Sequence, residues 1–561
     1  MRGLGLKWQS LMAMTVVCVL SVPGIAASPP QGSQAGVVSA LLPRGVAERA
    51  GSEKDLALHD GVFWNDLVKT IDLGRMRILL QDQSVLSIGA RSSMRIVPAS
   101  GTTRLSNLEL EFGRFRAKVI ERMGPEERVA ITTPTAALGV VGTHFYVRGD
   151  EKEATIIVFG GEVQVRSSNP NISGEQTLLA GELTTVLRDQ PPTPKRPATP
   201  QEIQQAMEET LPAPVARFNP YRSPAGSDPR VVLSAADIDH LPPMRSEGDW
   251  LQIEPGPCAT QGYVSGRLKL KSDLKPGPYE FEFDTPQGPR MGAFQVQPPA
   301  SSMPSIGRMV HAPEVPAGAL HRGVVVDEAG KAMAGARVKT VEGGKESVVE
   351  ADASGAFEVQ THQPGRIDLA IEGTDRRSHI DVVKPKDFSN PVSHFVQAGD
   401  VSNVPGVFSQ ARIGERSLAV ATTLEKNGQG FSTYMLPPDL DEGTSNVSLV
   451  DQNGNSTQQP VFVYRLIGGR IDNPNLISGQ QTQGEFVACF GNALPTGQKL
   501  QARITGIGFI KFLGEGAKGQ VVNKTISVAG QGTARIPFQI QATKGAGPGV
   551  PFFINLALSA L

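Results

Sequence analysis

From Val37 to Leu187 apolar and polar residues alternate with a period of two, cut by glycine-containing turns, and no stretch keeps a helical period. Such a pattern predicts short, half-buried strands over a common core. In LELEFGRFRAKVI, Leu108, Leu110 and Phe112 share one phase, whereas Phe115, Ala117 and Val119 share the other. Gly113 marks the change, and a bulge or corner there keeps both halves facing one core while the strand bends. Glycines at 89, 160, 161 and 181 predict further corners, so residues 36–188 read as one compact β-sandwich or rolled sheet.

The pattern breaks at Asp189. DQPPTPKRPATP predicts an extended polyproline spacer, and 189–230 read as a proline-rich linker. Within it TPQEIQQAMEETL predicts one short helix, with Thr199 as N-cap, Pro200 at the first helical position and Glu202 closing a capping box. A helix this short must pack on a neighbour or fray.

Beyond the linker a turn-strand-turn-strand unit recurs. Gly277, Tyr279, Phe281, Phe283, Gly288 and Phe294 are echoed by Gly443, Val447, Leu449, Gly454 and Phe462. The repeat predicts two immunoglobulin-like sandwiches, at 231–300 and 400–466, each ending in a hairpin. A last strand-rich segment, 467–561, predicts one more sandwich.

Composition sharpens this picture. A chain of 561 residues exceeds one hydrophobic core, and 61 Gly with 43 Pro suit many short strands and tight turns, so the expected class is all-β and multidomain. The 54 Lys and Arg nearly cancel the 55 Asp and Glu, which removes the global field that would draw nucleic acid. Arg2 and Lys7, an apolar run from Leu11 to about Leu20, then Pro23 and Ala26–Ala27 have the order of a secretory signal over 1–27. The run falls short of the roughly 20 apolar residues a spanning helix needs, so no stable transmembrane segment is expected after cleavage; an uncleaved anchor is the alternative. The address is then the periplasm or the extracellular side. An oxidising compartment permits a disulfide, but Cys258 and Cys489 stand 231 positions apart in different predicted domains, and they read as separate small core residues.

Two resemblances follow from particular residues. TTPTAALGVVGTHFYV, with Pro134, Gly139, Gly142, Thr143 and Phe145, carries a T-P-T-A followed by V-x-G-T-x-F and resembles the FecR family; WNDLVKT, LLQDQSVLSIGARSSMRI, TIIVFGGEVQV and LLAGELTTV follow in the family's order. Gln83 departs from the glycine usual in that family's D-G-S turn. Best-known members are inner-membrane signal transducers whose cytoplasmic segment controls a sigma factor; here the apolar run starts within about ten residues of Met1, so direct sigma-factor control is not expected. Residues 318–386, with Gly323, Asp327, Gly335, Asp352, Gly355 and Phe357, resemble the carboxypeptidase-regulatory-like module, a transthyretin-like sandwich, which implies a scaffold or spacer.

Catalytic chemistry is not evident. His144 reads as an imidazole beside a tight turn, DQNGN at 451–455 as a hairpin turn, and Asp439, Asp441 and Glu442 as a solvated acidic loop. Neither cofactor nor metal is expected. Arg114, Arg116 and Lys118 alternate with the core residues of their strand; they read as a solvated face, with an anionic-polymer patch as the alternative. The expected function is a non-enzymatic, secreted bacterial envelope scaffold whose partner is a cell-envelope protein or polysaccharide. The alternative is a periplasmic sensor anchored by its N-terminal helix and acting through another membrane protein.

Overall fold

The computed structural model describes residues 33–98, 107–119, 129–298, 307–327, 330–374, 376–388, 394–547, 550 and 552–561. The expected signal segment, 1–27, lies outside the described residues. The chain divides into two compact units, Met1–Ala198 and Thr199–Leu561. Both are built of strands; among the described residues the one α-helix is Pro200–Thr210, and no helix is long and apolar enough to cross a membrane.

The first unit is a single rolled sheet whose inward positions close one core, including Val38, Met76, Ile88, Phe115, Phe145 and Val158, all fully buried. Strand Asn107–Lys118 makes the predicted corner: its first half pairs with Ser92–Val97 and its second with Val85–Ile88. Gly113 adopts φ +106°, and a Cβ there would stand 2.3 Å from Ser92 Oγ and 2.6 Å from the Arg91 carbonyl. The phase changes slightly earlier than the sequence implies, because the pairing slips between Ser93 and Met94. Phe112, expected inside, is therefore half exposed. Gln83 takes the left-handed φ of +67° that the family's glycine would supply, so the turn from Leu80 to Ser84 is kept.

Asp66 of WNDLVKT is fully buried yet satisfied. It receives both Arg49 nitrogens, at 2.6 and 2.9 Å, and the Phe63 N–H at 2.8 Å, while Arg49 lies over the Phe63 ring.

In the second unit the helix forms as predicted, with Thr199 and Glu202 bonding reciprocally. Its buried face, Ile203, Ala206 and Met207, stays docked, and Gln204 donates to the Ala293 carbonyl. The first sandwich starts earlier than expected: Arg217–Asn219 and Arg222–Pro224, inside the expected linker, pair with Arg230–Ser234 and Gly288–Gln297, and Phe218 joins Trp250, Phe281 and Phe294 in the core. The repeat lands on two hairpins, Gly277–Thr285 with Gly288–Gln297 and Gly443–Asp451 with Ser456–Ile471.

The expected independent modules are instead fused. Leu320–Val326, from the segment expected to form a transthyretin-like module, shares a sheet with Val420–Leu424, Gly430–Met435 and Val401–Pro405 of the next expected module. Ser456–Ile471 is long enough to pair with Gly443–Asp451 through its first half and with Gln481–Cys489 through its second, carrying one sheet into the C-terminal body.

A second correction concerns the cysteines. Cys258 and Cys489 form a disulfide with Cα atoms 5.9 Å apart, in a buried cluster with Val232, Ile467 and Val487. Fusion of the modules brings strand Gln252–Thr260 onto the C-terminal body, so the two residues meet despite their separation in sequence.

Candidate functional site

The stretch from Thr132 to Gly149 becomes the organising strand of the first unit. Thr133 makes the turn before it, its Oγ1 accepting from the Ala136 N–H at 2.8 Å, and Pro134 sits in that turn with its carbonyl held by Ser168 Oγ. Strand Ala136–Gly149 then pairs with Val129–Thr132, Glu153–Ser167 and Asn107–Lys118. Gly139 lies within the ladder, opposite Ala130 and Gln164.

Gly142 breaks the register. It has φ +53°, opposite Gly161 at φ +83°, and the two left-handed residues form a paired kink. Thr143 locks it, donating from Oγ1 to the Glu162 carbonyl at 2.9 Å while its own carbonyl receives the Val119 N–H. Past the kink Phe145 turns inward, fully buried and edge-on to Phe115. The motif is thus a strand switch that lets one strand serve both parts of the rolled sheet. Gly161→Ala is expected to cost the first unit about 2 to 4 kcal/mol, because it adds left-handed strain to a Cβ lodged 2.8 Å from the Gly142 carbonyl. Urea unfolding followed at Trp64 reads that loss; a midpoint within error of the parent would refute it.

Arg114, Arg116 and Lys118 lie on the outer side of the adjoining strand, and register sets them opposite Arg148, Tyr146 and His144. Arg77 joins them through Ser87, which faces Arg116. The row is not uniformly solvated. Lys118 is exposed and Arg114 half-buried, but Arg116 is only 6% exposed, with its Nη1 3.1 Å from His144 Nε2, and the His144 ring stands edge-on to Phe159. Arg116 thus lies against the imidazole, between the exposed or half-buried Arg114, Lys118 and Arg148.

Sequence reasoning misread one acidic loop. Asp439 pairs with Arg416 in the open, as a solvated turn would, and Asp451 caps its own hairpin by accepting from the Asn453 and Asn455 N–H groups. Glu442, however, is 2% exposed and takes both Arg230 and Arg465. Nothing local announces that burial, since Arg230 lies 212 residues away. Among the described residues no group of three or more His, Cys, Asp or Glu is placed to hold a metal.

A family profile described as FecR protein matches residues 66–164, which contain both the strand switch and the basic row. No curated protein matches the chain. Among solved structures, a Parabacteroides distasonis protein provisionally assigned as an anti-sigma factor is 17% identical, covering 27% of this chain and 76% of its own, with a TM-score of 0.21. A Bacteroides ovatus protein of a mixed-linkage glucan utilization locus, solved with a heptasaccharide, is 12% identical over 55% of this chain and 92% of its own, with a TM-score of 0.17. Salmonella alpha-2-macroglobulin is 13% identical over 95% of this chain and 42% of its own, also at 0.17. At such TM-scores these likenesses carry no weight beside the strands described above.

Proposed function

From the premise that the chain carries a FecR domain, we propose that it is a non-enzymatic, extracytoplasmic scaffold in which that domain is borne by a body of fused β-sandwiches and the partner is a cell-envelope protein or polysaccharide. The observation that carries the reading is the buried Cys258–Cys489 bridge. Disulfides of this kind form and persist in oxidising compartments, and this one ties the first sandwich to the C-terminal body, as a load-bearing or ligand-presenting scaffold requires. The two carboxylates lining a cavity in the second unit support the non-enzymatic reading: Glu442 is occupied by two arginines and Glu254 by Lys269.

Fractionation of the native protein with N-terminal sequencing, thiol labelling and crosslinking tests this. A processed, soluble, disulfide-bonded form crosslinked to envelope polysaccharide or surface protein is the expected result. Free thiols in the native protein, or an intact N-terminus crosslinked to an inner-membrane regulator, would overturn it, the latter in favour of an anchored sensor.

A further inference from the structure

Where the first sandwich meets the segment around Glu442, the second unit forms a half-open cavity of about 130 Å³. Its wall is unusually rich in guanidinium groups: Arg230, Arg267 and Arg465 line it together with Glu254, Glu442 and Ser265. Arg230 and Arg267 are direct cross-strand partners on Arg230–Ser234 and Tyr263–Lys269, an arrangement that is destabilising for like charges unless an anion lies between them.

The protein's own carboxylates do not fill that role. Buried Glu442 is shared between Arg230 at 3.1 Å and Arg465 at 2.8 Å. Asp441 also reaches Arg230, but from the rim, where it is 80% exposed. Glu254 stands opposite Arg267 in register, yet its carboxylate bonds Lys269 Nζ at 3.0 Å. Arg267 is left with no hydrogen bond or ion pair from its side chain among the described residues. Arg230 in turn keeps a buried Nε–H without an acceptor. Burial lowers the basicity of Arg230; Glu442 opposes this, and Arg465 and Arg267 add to it. The Arg267 guanidinium, unpaired and set directly across strands from a second arginine, therefore points to an anion site on this wall.

We propose that this cavity binds a small oxyanion, the phosphate or carboxylate group of an acidic ligand, with Arg267 as the principal contact and the Arg230 guanidinium beside it in the wall. The cavity has room for such a head group together with water around it. A planar guanidinium fork suits an oxyanion presenting two acceptor oxygens. The site depends on no part of the FecR domain, so it extends the scaffold reading and stands or falls separately from it.

Isothermal titration of the full, disulfide-intact chain with inorganic phosphate and, separately, with glucuronate at constant ionic strength tests the proposal and distinguishes a free anion from the carboxylate of an acidic sugar. Saturable one-site binding of at least one probe is expected. Arg267→Gln should weaken it at least about tenfold, and Glu254→Gln, which removes a competing negative charge from the wall, should tighten it several-fold. Absence of saturable binding with both probes overturns the proposal, as does binding that neither substitution moves. Should Arg267→Gln fail to fold, an unchanged affinity in Glu254→Gln is by itself sufficient to overturn it.

Discussion

Replacing Cys258 and Cys489 together by Ala is expected to lower the unfolding free energy of the Thr199–Leu561 unit by roughly 2 to 5 kcal/mol and to leave the first unit unchanged. The bridge closes a loop of 231 residues, and chain entropy alone assigns such a loop about 5 kcal/mol, an upper value because residual order in the unfolded chain reduces it. The substitution also removes the tie between strands Gln252–Thr260 and Gln481–Cys489, whose neighbours Arg230 and Glu442 hold the same junction by an ion pair. Two of the three tryptophans make the test, Trp8 falling in the expected signal segment. Trp64 packs against the first unit's core and Trp250 is buried in the first sandwich of the second, so urea titrations in Trp64→Phe and Trp250→Phe backgrounds report the units separately. Because both sulfurs are buried, reductant should open the bridge at the rate of unfolding, not at once. A double-Ala protein with the parent's midpoint, or rapid reduction of the folded protein, would sink the prediction.

How far these features were legible in the sequence depends on the range of the contacts that make them. The phase change at Gly113, the corner at Gly161, the capping box at Thr199 and the paired hairpins at Gly277 and Gly443 are local, and each was readable from neighbouring residues. Phe112 shows the limit even there: a bulge at Glu111, where consecutive Ser93 and Met94 pair with Phe112 and Leu110, turned it outward. The disulfide, the burial of Glu442 and the unpaired Arg267 arise only where the first sandwich meets the C-terminal body. A chain read as beads gives no reason for Arg230 to meet Glu442 or for Cys258 to meet Cys489. The basic row was partly legible: alternation put Arg114, Arg116 and Lys118 on one face, but the burial of Arg116 beside His144 required the strand switch to align two distant strands.

Acidification from pH 6.5 to 5 is expected to destabilise the second unit through two histidines that the sequence left unremarked. His321, on strand Leu320–Val326, is fully buried, with Nδ1 2.8 Å from Thr423 Oγ1 and Nε2 lacking a hydrogen-bond partner. His311 packs perpendicular to it, with Nδ1 2.8 Å from the Ala312 carbonyl and Nε2 2.7 Å from Ser378 Oγ. Burial pushes His321 from 6.5 down to about 3, with His311 adding to the fall, and burial also lowers His311, whose other charged neighbour is His379, itself 3.8 Å from Asp381. The folded state thus refuses a proton that the unfolded chain accepts below pH 6.5. The stability contribution is complete above that pH and is lost on descent towards pH 3, at about 1.4 kcal/mol per pH unit for His321. Asp237, Asp352 and Asp451, all lowered, lose their contributions only near the ordinary Asp range, whereas Asp400 and Glu314, raised by burial, titrate above it and act with the opposite sign, so the histidine contribution is read as the difference between the parent and His321→Leu. Between pH 6.5 and 5, His321 should therefore remove about 1.7 kcal/mol. Hydrogen exchange of the Leu320–Val326 amides, or urea unfolding of the second unit, measures the slope, and His321→Leu should flatten it by about one proton. A slope unaltered by that substitution would mean that His321 is protonated inside the fold or that other groups govern the acid response.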